Sequence, residues 1–151
     1  MRRPSVRALI CVVLVAVSTG LLASCGDIVN FGSQEAADAQ RKASADLIRQ
    51  LEARPGAKVT ATVESSLDGG QNNVIVDARL PAAATEAQTN ALGDSIERTV
   101  WLSHLDPLGD ISIDITRQGS RVSVQQRLYQ DEIDTRPLGV KYGPRPAGLP
   151  G

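Results

Sequence analysis

The sequence predicts an α+β domain: a small antiparallel four-stranded sheet with helices on one face, in the order helix, hairpin, helix, hairpin. Three observations carry this prediction. Apolar residues recur at helical spacing in two stretches, four shorter stretches alternate apolar with polar residues, and breaks containing glycine or proline separate them. With 42% apolar and 22% charged residues the chain has an ordinary globular composition. Aromatic residues make up only 3%, so the core must be built from Val, Ile, Leu and Ala.

From Gln34 to Ala53, Ala36, Ala39, Ala43, Leu47, Ile48 and Leu51 form one apolar stripe among polar residues. Arg54-Pro55-Gly56 closes this helix, because proline disfavours helical geometry in the residue before it. Val59, Ala61 and Val63 then alternate with Thr60, Thr62 and Glu64, and Val74, Val76, Ala78 and Leu80 alternate with Ile75, Asp77 and Arg79. Asp68-Gly69-Gly70 between them predicts the turn of a hairpin. Thr85 and Gln88 match a capping box, and Leu92, Ile96 and Val100 continue one face of a helix from about Thr85 to about His104. Ile111, Ile113 and Ile115 give a third strand. Gln118-Gly119-Ser120 turns into a fourth with Val122, Val124 and Leu128 as its apolar side. Each strand is expected to bury its apolar face against the helices.

Residues 131–151 change character, with Asp131, Glu132 and Asp134 ahead of Pro137, Pro144, Pro146 and Pro150. Tyr142 to Leu149 reads as an extended tail with polyproline-like stiffness. The alternative has Tyr142 and Leu149 docking onto the domain or a partner. Trp101, Tyr142, Arg145 and Leu149 are the candidate partner-docking residues.

The N-terminus is organised differently. Met1 to Arg7 is basic, Ala8 to Leu22 is apolar and uncharged, and small residues follow, which is the layout of a secretory signal. The apolar run is shorter than the roughly 20 residues a spanning helix needs, so cleavage is expected. Leu22-Ala23-Ser24-Cys25 resembles the lipobox of bacterial lipoproteins. The resemblance implies lipid attachment to the Cys25 sulfur, cleavage after Ser24, and a lipid-anchored protein on the extracytoplasmic side of the cell membrane. Residues 1–24 are then the signal peptide, 25–33 a lipidated tether, 34–130 the domain and 131–151 the tail. The tether holds Ile28, Val29 and Phe31, which serve either as headgroup contacts or as part of a spacer.

Two further resemblances concern the domain. Val100-Trp101-Leu102-Ser103, Pro107-Leu108, the Ile111 to Ile115 strand and the Tyr142 to Leu149 ending resemble a group of uncharacterised actinobacterial envelope proteins, which implies a cell-envelope location and no activity. Ala45 to Thr116 is similar to the BON module of bacterial envelope proteins, which implies association with phospholipid surfaces. Arg79-Leu80-Pro81 stands where that module has a glycine-containing turn, and the last strand extends beyond it.

Several function classes are set aside on composition and spacing. After Cys25 the chain carries 13 of its 16 basic residues and all 17 acidic ones, a formal charge of −4 without a basic run, so no nucleic-acid partner is expected. One histidine, with Cys25 consumed by lipid, leaves no usual transition-metal ligand set, and no cofactor or metal is expected. Asp68 to Asn73 lacks the acidic spacing of a calcium loop. Ser103, His104 and Asp106 share residue types with a nucleophilic triad, but adjacency in sequence does not give triad geometry. Asp131, Glu132 and Asp134 read as a surface-type acidic cluster, for which the sequence identifies no acid/base role. The expectation is a non-enzymatic envelope module that docks onto another envelope protein, with a lipid- or small-ligand-binding module as the alternative. No sequence feature specifies an oligomeric state.

Overall fold

The computed structural model describes residues 31–65, 70–130 and 132–147. Cys25 with its lipobox, the signal-like segment, Asp68-Gly69 of the first turn and Leu149 lie outside the described residues. Residues 39–150 form one compact unit.

The elements are α1 (Phe31–Glu52), β1 (Lys58–Ser65), β2 (Asn72–Leu80), α2 (Glu86–Trp101), β3 (Leu108–Arg117), β4 (Ser123–Tyr129) and α3 (Glu132–Tyr142). The fold is α+β, with one four-stranded sheet in the order β1-β2-β3-β4. Leu47 and Leu51 of α1 are buried, as the helical stripe predicts, and Ala43 and Ile48 pack partly against them. Just beyond α1, Arg54 reaches across to α2. Its guanidinium donates to the Ser95 hydroxyl, to the Ser95 carbonyl at 2.9 Å and to the Thr99 hydroxyl at 2.5 Å.

β1 and β2 pair antiparallel with Val59 opposite Ala78, Ala61 opposite Val76 and Val63 opposite Val74, so the period-two pattern places these side chains on one face. The start of α2 is fixed by the capping box. Gln88 N–H donates to Thr85 Oγ1 at 3.2 Å, and Thr85 N–H donates to Gln88 Oε1 at 2.8 Å. Together these satisfy two of the donors that a helix start leaves unpaired.

The expectation of an all-antiparallel sheet is overturned at its centre. β2 and β3 run parallel, with Val74 beside Ile111, Val76 beside Ile113 and Ala78 beside Ile115. The order also gains a helix at the end, becoming helix, hairpin, helix, hairpin, helix. The physical reason for the parallel seam is α2, which carries the chain back to the end of the sheet where β2 began; a parallel neighbour requires such a crossover. Period-two alternation reports which face a strand buries and is silent on strand direction. The seam is also the densest apolar layer: Val74, Val76, Ile111, Ile113 and Ile115 are all fully buried, each contributing on the order of 1.5–3 kcal/mol by removal from water.

β4 corrects a second expectation. It pairs antiparallel with β3, with Ile111 opposite Tyr129, Ile113 opposite Arg127 and Ile115 opposite Gln125. Gln125, Arg127 and Tyr129 therefore lie on the helix side, while Val122, Val124 and Leu128 remain exposed at 73%, 40% and 52%. The polar face is turned inward because it meets a polar stripe on α2.

The end of the chain adds an element that the sequence pattern did not announce. Residues 132–142, within the proline-rich stretch and overlapping the expected extended segment only at Tyr142, form the helix α3, which includes Pro137. Leu138 of this helix is 1% exposed and belongs to the core. Tertiary contacts, and not local periodicity, hold it: Ile133 and Val140 face solvent, so no apolar stripe announces a helix.

Candidate functional site

Asn90, Asp94, Glu97 and Trp101 recur at steps of four, three and four along α2, and so share one helix face. This polar stripe faces Gln125, Arg127 and Tyr129 of β4 and the last turn of α3. Gly93 permits the approach, since a Cβ there would lie 2.6 Å from both Arg127 Nη2 and Gln125 Oε1.

Glu97, only 2% exposed, sits at the centre. Its Oε1 accepts from the Tyr129 hydroxyl at 2.5 Å and pairs with Arg127 Nη1 at 2.6 Å. Its Oε2 accepts from Lys141 Nζ at 3.1 Å and from the Tyr142 hydroxyl at 3.0 Å. Asp94 pairs with the same two cations, each at 2.8 Å. Two carboxylates thus face one guanidinium and one ammonium, and the charges balance. Burial alone would raise the Glu97 carboxyl, but the hydrogen bonds from Tyr129, Arg127, Lys141 and Tyr142 outweigh it and hold it below the ordinary carboxylate range. Lys141 and Arg127 hold Asp94 low by hydrogen bonding. Burial and the Glu97 charge push the Tyr129 phenol well up, and the hydrogen bond to Asp94 does most to raise Lys141.

Chemically this is a saturated cluster. Each Glu97 oxygen already has two donors, so the carboxylate can take a substrate proton only by giving up a bond that holds the fold. The arrangement clasps α2, β4 and α3 together.

No protein-family model, curated protein or solved structure matches the chain.

Of the four expected docking residues, Trp101 and Arg145 contact each other, and Tyr142 joins the cluster on α2. Trp101 Nε1 donates to the Gly143 carbonyl at 2.8 Å. The Arg145 guanidinium lies 5.7 Å from the Trp101 ring centroid, donates to the Trp101 carbonyl at 3.3 Å and to the Leu105 carbonyl, and forms an ion pair with Asp106 across 3.6 Å. The Tyr142 hydroxyl also meets the Asp94 carbonyl at 3.0 Å. Trp101, Tyr142 and Arg145 thus serve intramolecular contacts, while Leu149 lies outside the described residues.

The triad-like residues are not brought together. The Ser103 hydroxyl donates to the Val100 carbonyl at 2.7 Å, His104 is exposed, and Asp106 faces Arg145. Of the acidic cluster, Asp134 is exposed on α3, while Asp131 and the Glu132 side chain lie outside the described residues. Among the described residues no group of three or more His, Cys, Asp or Glu is placed to hold a metal ion, and no helix is long and apolar enough to cross a membrane.

Two other surfaces among the described residues bear on binding. A cleft of about 520 Å³ opens between the turn after α1, the end of β2 and the start of α2, lined by uncharged residues that include Ala57, Leu80, Pro81, Ala84, Ala91 and Leu92. On the side of the sheet away from the helices, register places Thr60, Asp77, Asp114 and Gln126 in one row and Thr62, Ile75, Ser112 and Leu128 in the next.

Sequence reasoning did not find Asp94, Glu97, Arg127, Tyr129 or Lys141. The signal was present as two polar stripes of complementary charge: one at helical spacing on α2, the other on alternate residues of β4.

Proposed function

We propose that the chain is a lipid-anchored, non-enzymatic module of a bacterial cell envelope, attached to the membrane through Cys25, that docks onto another envelope protein. The anchor rests on Leu22-Ala23-Ser24-Cys25 following a basic start and an apolar run. The docking reading rests on the uncovered side of the sheet, where Ile75, Val124 and Leu128 are exposed among Thr, Asp and Arg side chains. The polar residues gathered elsewhere are committed to one another in the clasp, which supports a binding role over a catalytic one.

The two halves of the proposal have separate tests. Cys25→Ala should leave an unprocessed precursor of higher mass; normal processing of this variant would refute the anchor. A photoreactive side chain at Ile75 of the full chain, irradiated in cells, should give a discrete adduct with another envelope protein, identified by mass spectrometry. An absence of protein adducts from Ile75, Asp77 and Gln126 alike would refute docking through this face.

The uncharged cleft favours a second reading, in which the module holds a lipid or another small apolar ligand. Its volume falls in the range of small-molecule sites, and the likeness of Ala45 to Thr116 to a phospholipid-associated module points the same way. Copurifying lipid released from the purified full chain would favour this reading, and a ligand-free mass spectrum under native conditions would count against it.

A further inference from the structure

The segment after β4 is attached to the domain in an unusual way. Helix α3 has 11 residues with Pro137 inside, and helices this short are marginal without tertiary support. Leu138 is the one fully buried side chain among its described residues; Ile133, Asp134, Arg136, Pro137, Val140 and Lys141 are exposed. The Tyr142 ring also packs against the edge of the core, and the other contacts described for the segment are mainly polar. Lys141 and Tyr142 bind Asp94 and Glu97, Gly143 receives the Trp101 indole N–H, and Arg145 caps the Trp101 and Leu105 carbonyls and faces Asp106. The sheet is held differently, by a continuous apolar layer from Val59 to Ile115.

We infer that residues 132–147 form a strap that unseats as a unit while the sheet stays folded. Elements with few buried apolar contacts and many solvent-facing polar ones open locally at a lower free energy than the core. Lys141, the strap's own charge in the cluster, and its partner Asp94 are about half in water, with side chains 45% and 49% exposed, while its other partner Glu97 is buried; salt therefore weakens the strap more than it weakens the apolar sheet. Unseating frees the Trp101 indole N–H and the Trp101 and Leu105 carbonyls. It also removes one wall of a cleft of about 330 Å³, to which the strap contributes Thr135 and Arg145 and the body contributes Trp101, Pro107, Leu108 and Gly109. The strap thereby controls access to that end of the sheet, independently of the anchor and of the face proposed for docking.

The test is native-state hydrogen exchange on the full chain in detergent, read by mass spectrometry over 132–147 and over β2 and β3, at low salt and in about 1 M salt, where the screening length is roughly 3 Å. The strap should exchange at least about tenfold faster than β2 and β3, and salt should widen the ratio. Lys141→Gln should raise strap exchange by about another tenfold and leave β2 and β3 protected. The only tryptophan of the chain, Trp101, should shift its emission to longer wavelength in the same variant. If strap and sheet exchange together in wild type and variant at both salt concentrations, the strap is part of the core and the inference is wrong.

Discussion

Replacing Glu97 by Gln is the sharpest perturbation of the clasp, because it keeps the side-chain shape and removes the charge. The Arg127 side chain is 15% exposed and would lose a 2.6 Å partner, keeping Asp94 at 2.8 Å. Tyr129 would exchange a carboxylate acceptor for an amide. Breaking a buried pair by removing one partner costs about 3–5 kcal/mol when nothing replaces it. Asp94 remains for both cations, and Lys141 is nearly half exposed, so its share is screened to about 1 kcal/mol or less. The expected loss is about 2–3 kcal/mol. For a domain of this size that is on the order of 10–20 °C in Tm, and it is a large fraction of a typical total of about 5–15 kcal/mol. Urea unfolding followed by circular dichroism gives the free energy directly, with an unchanged m-value expected. A double-mutant cycle should find stronger coupling of Glu97 to Arg127 than to Lys141. A loss below about 0.5 kcal/mol, the size of a typical surface substitution, would show that the cluster is incidental and the reasoning wrong.

Other predictions follow from the same structure. Glu97 and Asp94 have lowered carboxyl pKa values, so their stabilisation is complete above the ordinary carboxylate range near pH 4 and is lost as pH falls through the depressed values. Tyr129 and Lys141 are raised, so theirs is complete below about pH 10 and lost on further rise. Unfolding free energy against pH should therefore be level between about pH 5 and 9 and fall on both sides; a steady slope across neutrality would contradict this. Ile113→Ala should cost about 2–5 kcal/mol by opening a cavity in the central seam, while Leu128→Ser on the open side should change stability by less than about 0.5 kcal/mol. Equal effects in urea titrations would mean that the assigned face of β4 is wrong. Thr85→Ala should cost about 1 kcal/mol by removing the cap, and Thr85→Ser much less; identical midpoints for all three proteins would remove the capping box from the account.

The elements whose faces are decided by water were legible in the sequence. Leu47 and Leu51, Val59 and Ala61, Val74 to Leu80 and the three isoleucines of β3 all bury the side that their periodicity marks, and Thr85 with Gln88 caps the helix that it announces. What failed were features decided by pairing between distant polar groups. The apolar alternation of Val122, Val124 and Leu128 pointed the wrong way because Arg127 and Tyr129 have partners 30 or more residues away on α2. Helix α3 was hidden for the same reason: Lys141 and Tyr142 bind residues 44 to 48 positions earlier, and no local pattern records that. Strand direction at the seam was a third omission, since alternation is the same read in either direction.

The parallel pairing of β2 with β3 also bears on how the chain can be divided and made. Each hairpin closes locally, but the two halves of the sheet meet only across this seam, whose paired residues are 36 or 37 positions apart. A fragment ending after α2 would present β2 with one bare edge and half of its layer exposed, and the second hairpin alone would lack the surface that buries Ile111, Ile113 and Ile115. During synthesis the first half must wait, incompletely covered, until β3 emerges. Splitting the gene at the turn after α2 should therefore yield two pieces that associate with each other or aggregate, and neither should behave as a stable small domain.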